Sequence, residues 1–494
     1  MYSFFTFSLL SKIYQILHIF PAFFLAAVLS ACSWLDVGSK SEIDGDEMFL
    51  STEGYYTAFT GVYINMGSTE LYGGNLPLSA LEPLTQQYTQ PDDDTDRTKW
   101  GQYNYTTDGA KTIIDDVWGT MYNTIVNCNL LIENLEREDC PVFDAGVWEI
   151  LTGEAIGLRA YMFFDLIRLY NEAYCVNPEC KNVPLKKDFG FNLGEQATTR
   201  QALDYLVGEL NRAQKLLREN DPIVSGKSYS DKYVNYDRRY RMNYYAVTAL
   251  LARIELYRGE YAAAYGYAEE VIGNSDFRFI EADEIIETDA YGKEQKIDRL
   301  FMPEMIFALG NENILTTSRS DYESLGGDFI KSAACYDEND VRRNWIYTNP
   351  SANNKINLIR YQRSTLAEDA YLYDIPAVPL LKLGEMYLIA AEAVLNNPSA
   401  GDKNPGEWIN TLKGHRNTSL LPDGADNNAI ETQITREYIG EFKGEGQLFF
   451  YYKRRNMSAI DDGYYTGNTV KMNSSYYTWP LPEYEQDFGH GTGK

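Results

Sequence analysis

The chain has 494 residues, of which 44% are hydrophobic and 23% charged, which is enough apolar material for a large buried core. Its formal net charge of -27 would repel phosphate backbones, so we expect no nucleic-acid partner. Only three histidines occur, which leaves little material for a histidine-rich metal site or a serine-histidine triad.

The N-terminal segment has the pattern of an export signal. Residues 1–31 contain no acid and one lysine, Lys12, and an apolar run from Ile19 to Leu29 ends in Leu29-Ser30-Ala31-Cys32. The run is short for a membrane span, and small residues precede a cysteine. We therefore predict a lipoprotein-type signal peptide over residues 1–31, cleaved before a lipidated Cys32; the alternatives are a membrane helix or a buried helix. Cleavage would change the net charge from -27 to -28, because Lys12 is the only charged residue lost.

Five cysteines follow Cys32, and none belongs to a C-x-x-C pair. Without nearby histidines they do not indicate zinc. A bridge between Cys175 and Cys180 would suit an oxidising compartment, but buried free thiols fit the pattern equally well.

Two long amphipathic helices come next. Apolar residues recur at alternating steps of three and four from Trp118 to Leu135, and again from Trp148 to Leu169, where Asn171 ends the pattern. Neither stripe misses a step, so both segments are predicted to be helical.

Further helices are predicted in pairs. A hairpin with its turn at Gly259 has small residues where two helices approach, which resembles a tetratricopeptide unit. Another pair is predicted to begin at Leu380, break at Asn396-Asn397-Pro398 and resume at Trp408. The fold class is therefore mainly α, with helical repeats around 112–136, 148–171, 200–273 and 378–415.

Long irregular stretches separate these helices, chiefly 67–110, 275–375 and 456–494. They are rich in Gly, Asn, Asp, Tyr and Thr, a composition typical of functional loops on a rigid scaffold. No composition break indicates a linker, so residues 32–494 are predicted to form a single domain. Ligand and partner contacts are expected in the loops around 67–110 and 275–375.

Several segments, in this order along the chain, resemble the SusD/RagB family of outer-membrane nutrient-binding lipoproteins. They are Trp34-Leu35-Asp36-Val37 after the lipobox cysteine, Trp118-x-x-Met121-Tyr122-x-x-Ile125-x-x-x-Asn129, Gly153-Glu154-Ala155-x-x-Leu158-Arg159-Ala160, Val183-Pro184-Leu185, Asn243-x-x-Ala246, Glu385-Met386-Tyr387-Leu388, Glu437-x-x-x-Glu441-x-x-x-Glu445-Gly446 and Trp479-Pro480-Leu481-Pro482. The pattern departs from the family at Lys382, where arginine is usual, and at Gln447-Leu448 after Glu-Gly.

The resemblance implies a SusD-like helical body without catalytic residues. It also implies an outer-membrane, cell-surface location through the lipid at Cys32, and a SusC-like TonB-dependent barrel as partner. The nutrient would be a glycan, or else a peptide, and no cofactor is implied. A surface glycoside hydrolase and a protein-binding helical adaptor are the alternative functions.

Tyrosine is unusually abundant, with 40 copies, and its flat apolar face and hydroxyl suit it to sugar binding as well as to packing between helices. The ligand platform is predicted on loop residues. These are Tyr72, Tyr88, Arg97, Trp100, Gln102, Tyr103, Asn104, Tyr291, Tyr322 and Trp345.

Two groups of acidic residues have alternative interpretations. Asp92, Asp94 and Asp96 could offer oxygen ligands to a structural calcium, but the run lacks the glycine and final glutamate of an EF-hand loop and fits a solvated loop better. The glutamates of the Glu437-x-x-x-Glu441-x-x-x-Glu445 segment are predicted to share one helix face. There they would pair with Arg436, Lys443 or bases of the preceding helix rather than act as catalytic carboxylates.

Overall fold

The structure is a computed structural model that describes residues 48–89, 95–288, 294–311, 314, 330–361, 376–463 and 467–489. The predicted signal peptide and Cys32 therefore lie outside the described residues. The chain divides into a short unit, Met1–Gly54, and a large one, Tyr55–Lys494. The large unit contains all the described strands and all the labelled helices but the first, which begins at Thr52.

Helices dominate the described chain, which confirms the mainly α fold class. They are α1 (Thr52–Met66), α2 (Asp96–Gly101), α3 (Asp108–Leu135), α4 (Val147–Tyr170), α5 (Thr199–Arg218), α6 (Pro222–Ser225), α7 (Tyr244–Arg258), α8 (Tyr261–Ile272), α9 (Ala282–Ile285), α10 (Leu383–Asn396), α11 (Pro405–His415), α12 (Asn427–Glu441), α13 (Gln447–Arg454) and α14 (Glu483–Phe488). Helix α3 packs on α4, α4 on α5, α5 on α7, α7 on α8, α8 on α10 and α10 on α11, so the helices form a stack of pairs. No helix among the described residues is both long enough and apolar enough to span a bilayer.

Local sequence signals explain where these helices begin and end. The Thr107 side chain accepts a hydrogen bond from the backbone N–H of Ala110 and so caps α3. Thr198 and Gln201 form a reciprocal capping box at the start of α5. Gly259 adopts φ +79° between α7 and α8, a left-handed conformation that ends the first helix of the predicted hairpin.

Both long stripes identified in the sequence are helices, α3 and α4, and α4 ends at Tyr170 just before Asn171 as predicted. The helix predicted to begin at Leu380 starts later than expected. Leu380 lies in a strand, Ala377–Lys382, and the helix starts at Leu383. The difference arises because a short buried apolar run fits a buried strand and a buried helix equally well.

The strands form four small antiparallel pairs among the described residues. They are β1 (Ile286–Thr288) with β2 (Glu294–Ile297), β3 (Met305–Gly310) with β6 (Ala377–Lys382), β4 (Ile346–Asn349) with β5 (Lys355–Leu358), and β7 (Ala459–Asp461) with β8 (Thr469–Lys471). The buried β3–β6 pair joins the two ends of a long irregular stretch, with Leu309 opposite Val378.

A buried ion network joins these strands to the C-terminal helices. It contains equal numbers of acids and bases: Glu304, Asp340, Glu437, Glu441 and Glu445 with Arg342, Arg360, Lys382, Lys413 and Arg416. All ten side chains are buried. Each charge has lost its hydration, so the network stabilises the fold only while every member keeps its partners.

Arg416 lies at the centre of this network. Its guanidinium donates to both carboxylate oxygens of Glu304, at 2.7 and 2.6 Å, and to both of Glu441, at 2.7 and 3.1 Å. Arg342 bridges Glu437, at 2.7 Å, and Glu441, at 3.0 Å. A Cβ on residue 384 would lie 2.7 Å from a carboxylate oxygen of Glu441, which is too close. The network therefore requires glycine at this position of α10.

The glutamates are thus paired structurally, but not all as the sequence predicted. Glu437 and Glu441 lie on α12, whereas Glu445 follows the end of that helix and pairs with Lys382 at 2.7 Å. The preceding helix does contribute bases, whereas the predicted partner Arg436 instead binds Asp337 at 2.6 Å. Lys382, which departs from the family pattern, therefore still fills a cationic position.

The electrostatics of Glu441 make the network sensitive to acid. Burial opposes ionisation, but the charges of Arg416, Lys382 and Arg342 together outweigh it and lower the pKa of Glu441 well below its ordinary value of 4.5. Ionised Glu441 stabilises the fold at neutral pH. That contribution is lost as the pH falls from the ordinary pKa toward the lowered one.

All five cysteines in the described residues are free thiols, so Cys175 and Cys180 do not form a bridge in this structure. Cys180 is buried, whereas Cys175 is exposed and its thiol donates to the carbonyl oxygen of Arg454 at 3.2 Å.

Replacing Arg416 with methionine should lower the free energy of unfolding by about 3–5 kcal/mol, because it leaves Glu304 and Glu441 buried with fewer partners. Urea denaturation measures the change. The matched control is Arg137→Met, which removes an exposed pair with Asp139 at 2.6 Å and should cost less than about 1 kcal/mol. Equal costs for the two variants would mean that the network is not a source of stability.

Candidate ligand-binding cleft

Four aromatic residues of the predicted ligand platform are packed inside the protein. Trp100 is only 2% exposed, donates from its indole to the carbonyl oxygen of Ala80 at 2.7 Å, and meets Trp479 edge-on. Trp345 is 1% exposed, and Tyr88 is equally enclosed. Tyr72 is buried and donates to Asp165 at 2.8 Å. None of these rings has a face open to a ligand in this structure, so their aromatic character serves packing.

Most of the other predicted residues do not line a common cavity among the described residues. Arg97 is half-buried and Gln102 is exposed at the end of α2. Tyr291, Tyr322, Asp92 and Asp94 lie outside the described residues. Asp96, the third weak calcium candidate, accepts a hydrogen bond from the backbone N–H of Gly109 at 2.9 Å.

Tyr103 and Asn104, the remaining two, lie in an open cleft of about 560 Å³. The cleft lies between the segment that follows α2 and the segment that precedes α14. Its lining consists of Tyr103, Asn104, Tyr105, Thr106, Glu172, Asn182, Ser474, Ser475, Tyr476, Thr478, Trp479, Pro480 and Leu481. The volume is within the range of small-ligand sites.

A pair of stacked tyrosines forms the aromatic part of this cleft. The rings of Tyr103 and Tyr476 lie parallel, with centroids 4.6 Å apart and 6° between planes. Tyr476 is half-buried, so part of its ring is open to the cleft. The Tyr105 hydroxyl donates to the carbonyl oxygen of Tyr476 at 2.6 Å and fixes that residue's backbone.

Tyr103 is held in an unusual backbone conformation. Its φ is +63°, a left-handed value that costs free energy for a residue with a Cβ. Its hydroxyl donates to the carbonyl oxygen of Leu84 at 2.8 Å and accepts from Gln86 at 3.1 Å. Burial raises the pKa of Tyr103, so its hydroxyl stays protonated and keeps this bond at physiological pH. These contacts keep the stacked pair in place before any ligand arrives.

Planar polar side chains surround the tyrosine pair. The Asn104 side-chain oxygen accepts from the backbone N–H of Thr106 at 3.1 Å, and its amide N–H₂ has no acceptor among the described residues. Asn182 donates to the carbonyl oxygen of Tyr170 at 2.8 Å, which orients its own carbonyl group. Glu172 is the one carboxylate among the described residues that line the cleft.

The arrangement has the chemistry to bind a sugar ring. An aromatic face can cover the C–H surface of a sugar ring, while carboxamides and hydroxyls bond to its hydroxyl groups.

Sequence reasoning missed Tyr476, the residue that completes this cleft. The sequence predicts that 456–494 is irregular, and Trp479-Pro480-Leu481-Pro482 carries only part of the family resemblance. No pattern linked residue 476 to residue 103, because their stacking depends on a tertiary contact between distant segments.

The stack of helix pairs defines a helical-repeat body, and the aromatic cleft is its candidate ligand site. A family model described as "SusD family" matches residues 218–487, more than half of the chain. A second model, described as "Starch-binding associating with outer membrane", matches residues 33–256. The chain belongs to the SusD family.

Solved structures show the same fold at low sequence identity. A SusD superfamily protein from Bacteroides thetaiotaomicron is 19% identical with a TM-score of 0.68, covering 88% of this chain and 98% of its own. One from Bacteroides fragilis is 19% identical with a TM-score of 0.69, covering 90% and 100%. Surface glycan-binding protein A from Bacteroides thetaiotaomicron, in complex with laminarihexaose, is 18% identical with a TM-score of 0.65, covering 90% and 99%. The comparison with curated proteins found no match.

Replacing the buried Trp345 with alanine should lower the free energy of unfolding by about 3–5 kcal/mol, since it opens a cavity in the core. Tyr347→Ala, two residues away on β4 at a side chain that is 50% exposed, should change it by less than about 0.5 kcal/mol. Denaturation followed by circular dichroism compares the two. A stable Trp345→Ala protein would contradict the core position of this ring.

Proposed function

We propose that the mature chain captures a glycan at the cell surface and passes it, chemically unchanged, to a SusC-like TonB-dependent transporter in the outer membrane. The observation that carries the proposal is the preformed cleft in a SusD-family body, with Tyr476 stacked on Tyr103 beside the open amide of Asn104. A site that is already ordered binds without first losing conformational entropy, which favours capture of dilute ligands.

Three further observations support a glycan over a peptide. The described residues that line the cleft include one carboxylate and no cation, so they offer no oppositely charged partner for a peptide carboxylate. A similarly folded protein, surface glycan-binding protein A from Bacteroides thetaiotaomicron, has been solved with laminarihexaose. The hydroxyl groups of Ser474, Ser475 and Thr478 provide hydrogen-bonding partners for a neutral sugar.

The location in this proposal depends on Cys32. Acylation there would attach the folded body to the outer leaflet of the outer membrane, next to the barrel it serves. Ser33 follows the cysteine in place of an acid, which permits sorting to the outer membrane.

Replacing Tyr476 with alanine should weaken binding of the best ligand from a glycan array by about tenfold, or about 1.4 kcal/mol, because the sugar loses its stacking surface. Titration calorimetry measures the affinity. The control is Tyr347→Ala, which removes an equally large but more exposed tyrosine ring outside the cleft and should leave the affinity unchanged.

Equal affinity of the Tyr476→Ala variant and the wild type would rule out this cleft as the glycan site. The same samples, analysed by chromatography after long incubation, should contain intact glycan. Shortened products would instead support a glycoside hydrolase.

Replacing Cys32 with serine should abolish incorporation of labelled palmitate and release the protein from the outer-membrane fraction, since it removes the thiol that carries the lipid. Membrane fractionation and labelling in the native host test this. Cys175→Ser removes an exposed thiol elsewhere in the chain and serves as the control. A membrane-bound, unlabelled Cys32→Ser protein would show that anchoring has another cause.

A further inference from the structure

A second cavity, of about 420 Å³, shares no lining residue with the aromatic cleft. It lies where α1 approaches the segment before α7 and the end of β3. Its main side chains are Tyr63, Ile64, Tyr236, Tyr240, Arg241 and Asn311. Ile64 is 67% exposed and Tyr236 is 40% exposed. Exposed apolar side chains that line the same cavity are typical of a binding surface.

Arg241 supplies a cation to the wall of this cavity. Its guanidinium carbon lies 3.9 Å from the ring centroid of Tyr233, 4.9 Å from that of Tyr63 and 5.7 Å from that of Tyr236. The three rings restrict the side chain to a narrow range of positions, so the charge is ordered before a ligand binds.

The hydrogen bonds of Arg241 are incomplete. Its Nη1 donates to the Tyr233 hydroxyl at 2.7 Å, whereas Nε is buried without an acceptor. Nη2 also has no acceptor among the described residues, but it is not enclosed as Nε is. The side chain as a whole is 16% exposed, and it lines the cavity.

The nearest carboxylate does not complete the coordination of Arg241. Glu154 lies 3.8 Å from Nη1, beyond hydrogen-bond distance. Its oxygens already accept from Tyr63 at 2.8 Å, Tyr233 at 3.0 Å and Arg238 at 3.2 Å. A partly desolvated guanidinium that lacks acceptors is costly, and an incoming acceptor recovers part of that cost.

We propose that this cavity binds a carboxylate-bearing sugar unit, such as a uronic acid, with the carboxylate on Arg241 and the ring against Tyr236. Attraction between opposite charges adds to the hydrogen bond when the acceptor is a carboxylate, so a carboxylate complements the guanidinium better than a sugar hydroxyl does. Glu154 beside Arg241 disfavours a doubly charged phosphate. The proposal adds an acidic subsite to the proposed glycan capture, and its carbohydrate chemistry rests on that function.

The test is titration of the mature protein with digalacturonate and, in parallel, with the neutral disaccharide digalactose. Digalacturonate should bind measurably more tightly than digalactose. Arg241→Gln should weaken digalacturonate binding by about tenfold or more, as expected when a charge-assisted bond is lost. Tyr236→Ala should weaken it several-fold. Tyr236 is exposed, so the Tyr236→Ala variant should fold normally. It therefore tests the acidic subsite even if the Arg241→Gln variant does not fold.

Comparison with the cleft variant separates the two proposals. Tyr476→Ala should leave digalacturonate binding unchanged, while Arg241→Gln and Tyr236→Ala should leave binding of the array-selected neutral glycan unchanged. The acidic subsite is refuted if digalacturonate does not bind, binds no better than digalactose, or binds equally to the wild type and the Tyr236→Ala variant. Binding of the dipeptide Ala-Ala in place of digalacturonate, sensitive to Tyr236→Ala, would also overturn it, in favour of a peptide carboxylate.

Discussion

The buried ion network around Arg416 and Glu441 is the constraint on which the rest of this structure depends. Its members come from β6, α11, α12 and the irregular segments near β3, β4 and β5, which are far apart in sequence. Buried charges tolerate few alternative arrangements, because each misplaced partner leaves an uncompensated ion. The network therefore determines how the C-terminal helices meet the two-stranded pairs, beyond what apolar packing alone would specify.

The same C-terminal region forms one wall of the candidate ligand cleft. Trp479 is completely buried, and its backbone N–H donates to the carbonyl oxygen of Leu169 at the end of α4. Lys453 donates to the carbonyl oxygen of Asn171 at 2.6 Å, next to the same helix end. Tyr476, three residues before Trp479, is thereby placed against Tyr103. A rigid scaffold with ligand groups on irregular segments is the usual division of roles in binding proteins.

The sequence predicted the scaffold better than the site, for physical reasons. Helices α3 and α4 were predictable because a 3.6-residue period is local information. The partners of Glu441 were not, since Arg342 is 99 residues away and nothing in the pattern joins them. Trp100 was predicted to bind ligand because an aromatic residue in a loop can either pack in the core or contact a ligand. Only its burial in the folded structure distinguishes these two roles. Tyr103 and Asn104, both predicted as ligand residues, line one cleft, and that role stays a prediction; Tyr476 could be added to them only from the tertiary fold.

The most direct test of glycan capture is a crystal structure of the mature protein with the tightest-binding oligosaccharide from a glycan array. The account predicts electron density for a sugar ring over Tyr476, within hydrogen-bond distance of the Asn104 amide, with the stacked tyrosines unmoved. Sugar density confined to a different surface, with this cleft empty at saturating ligand, would contradict it.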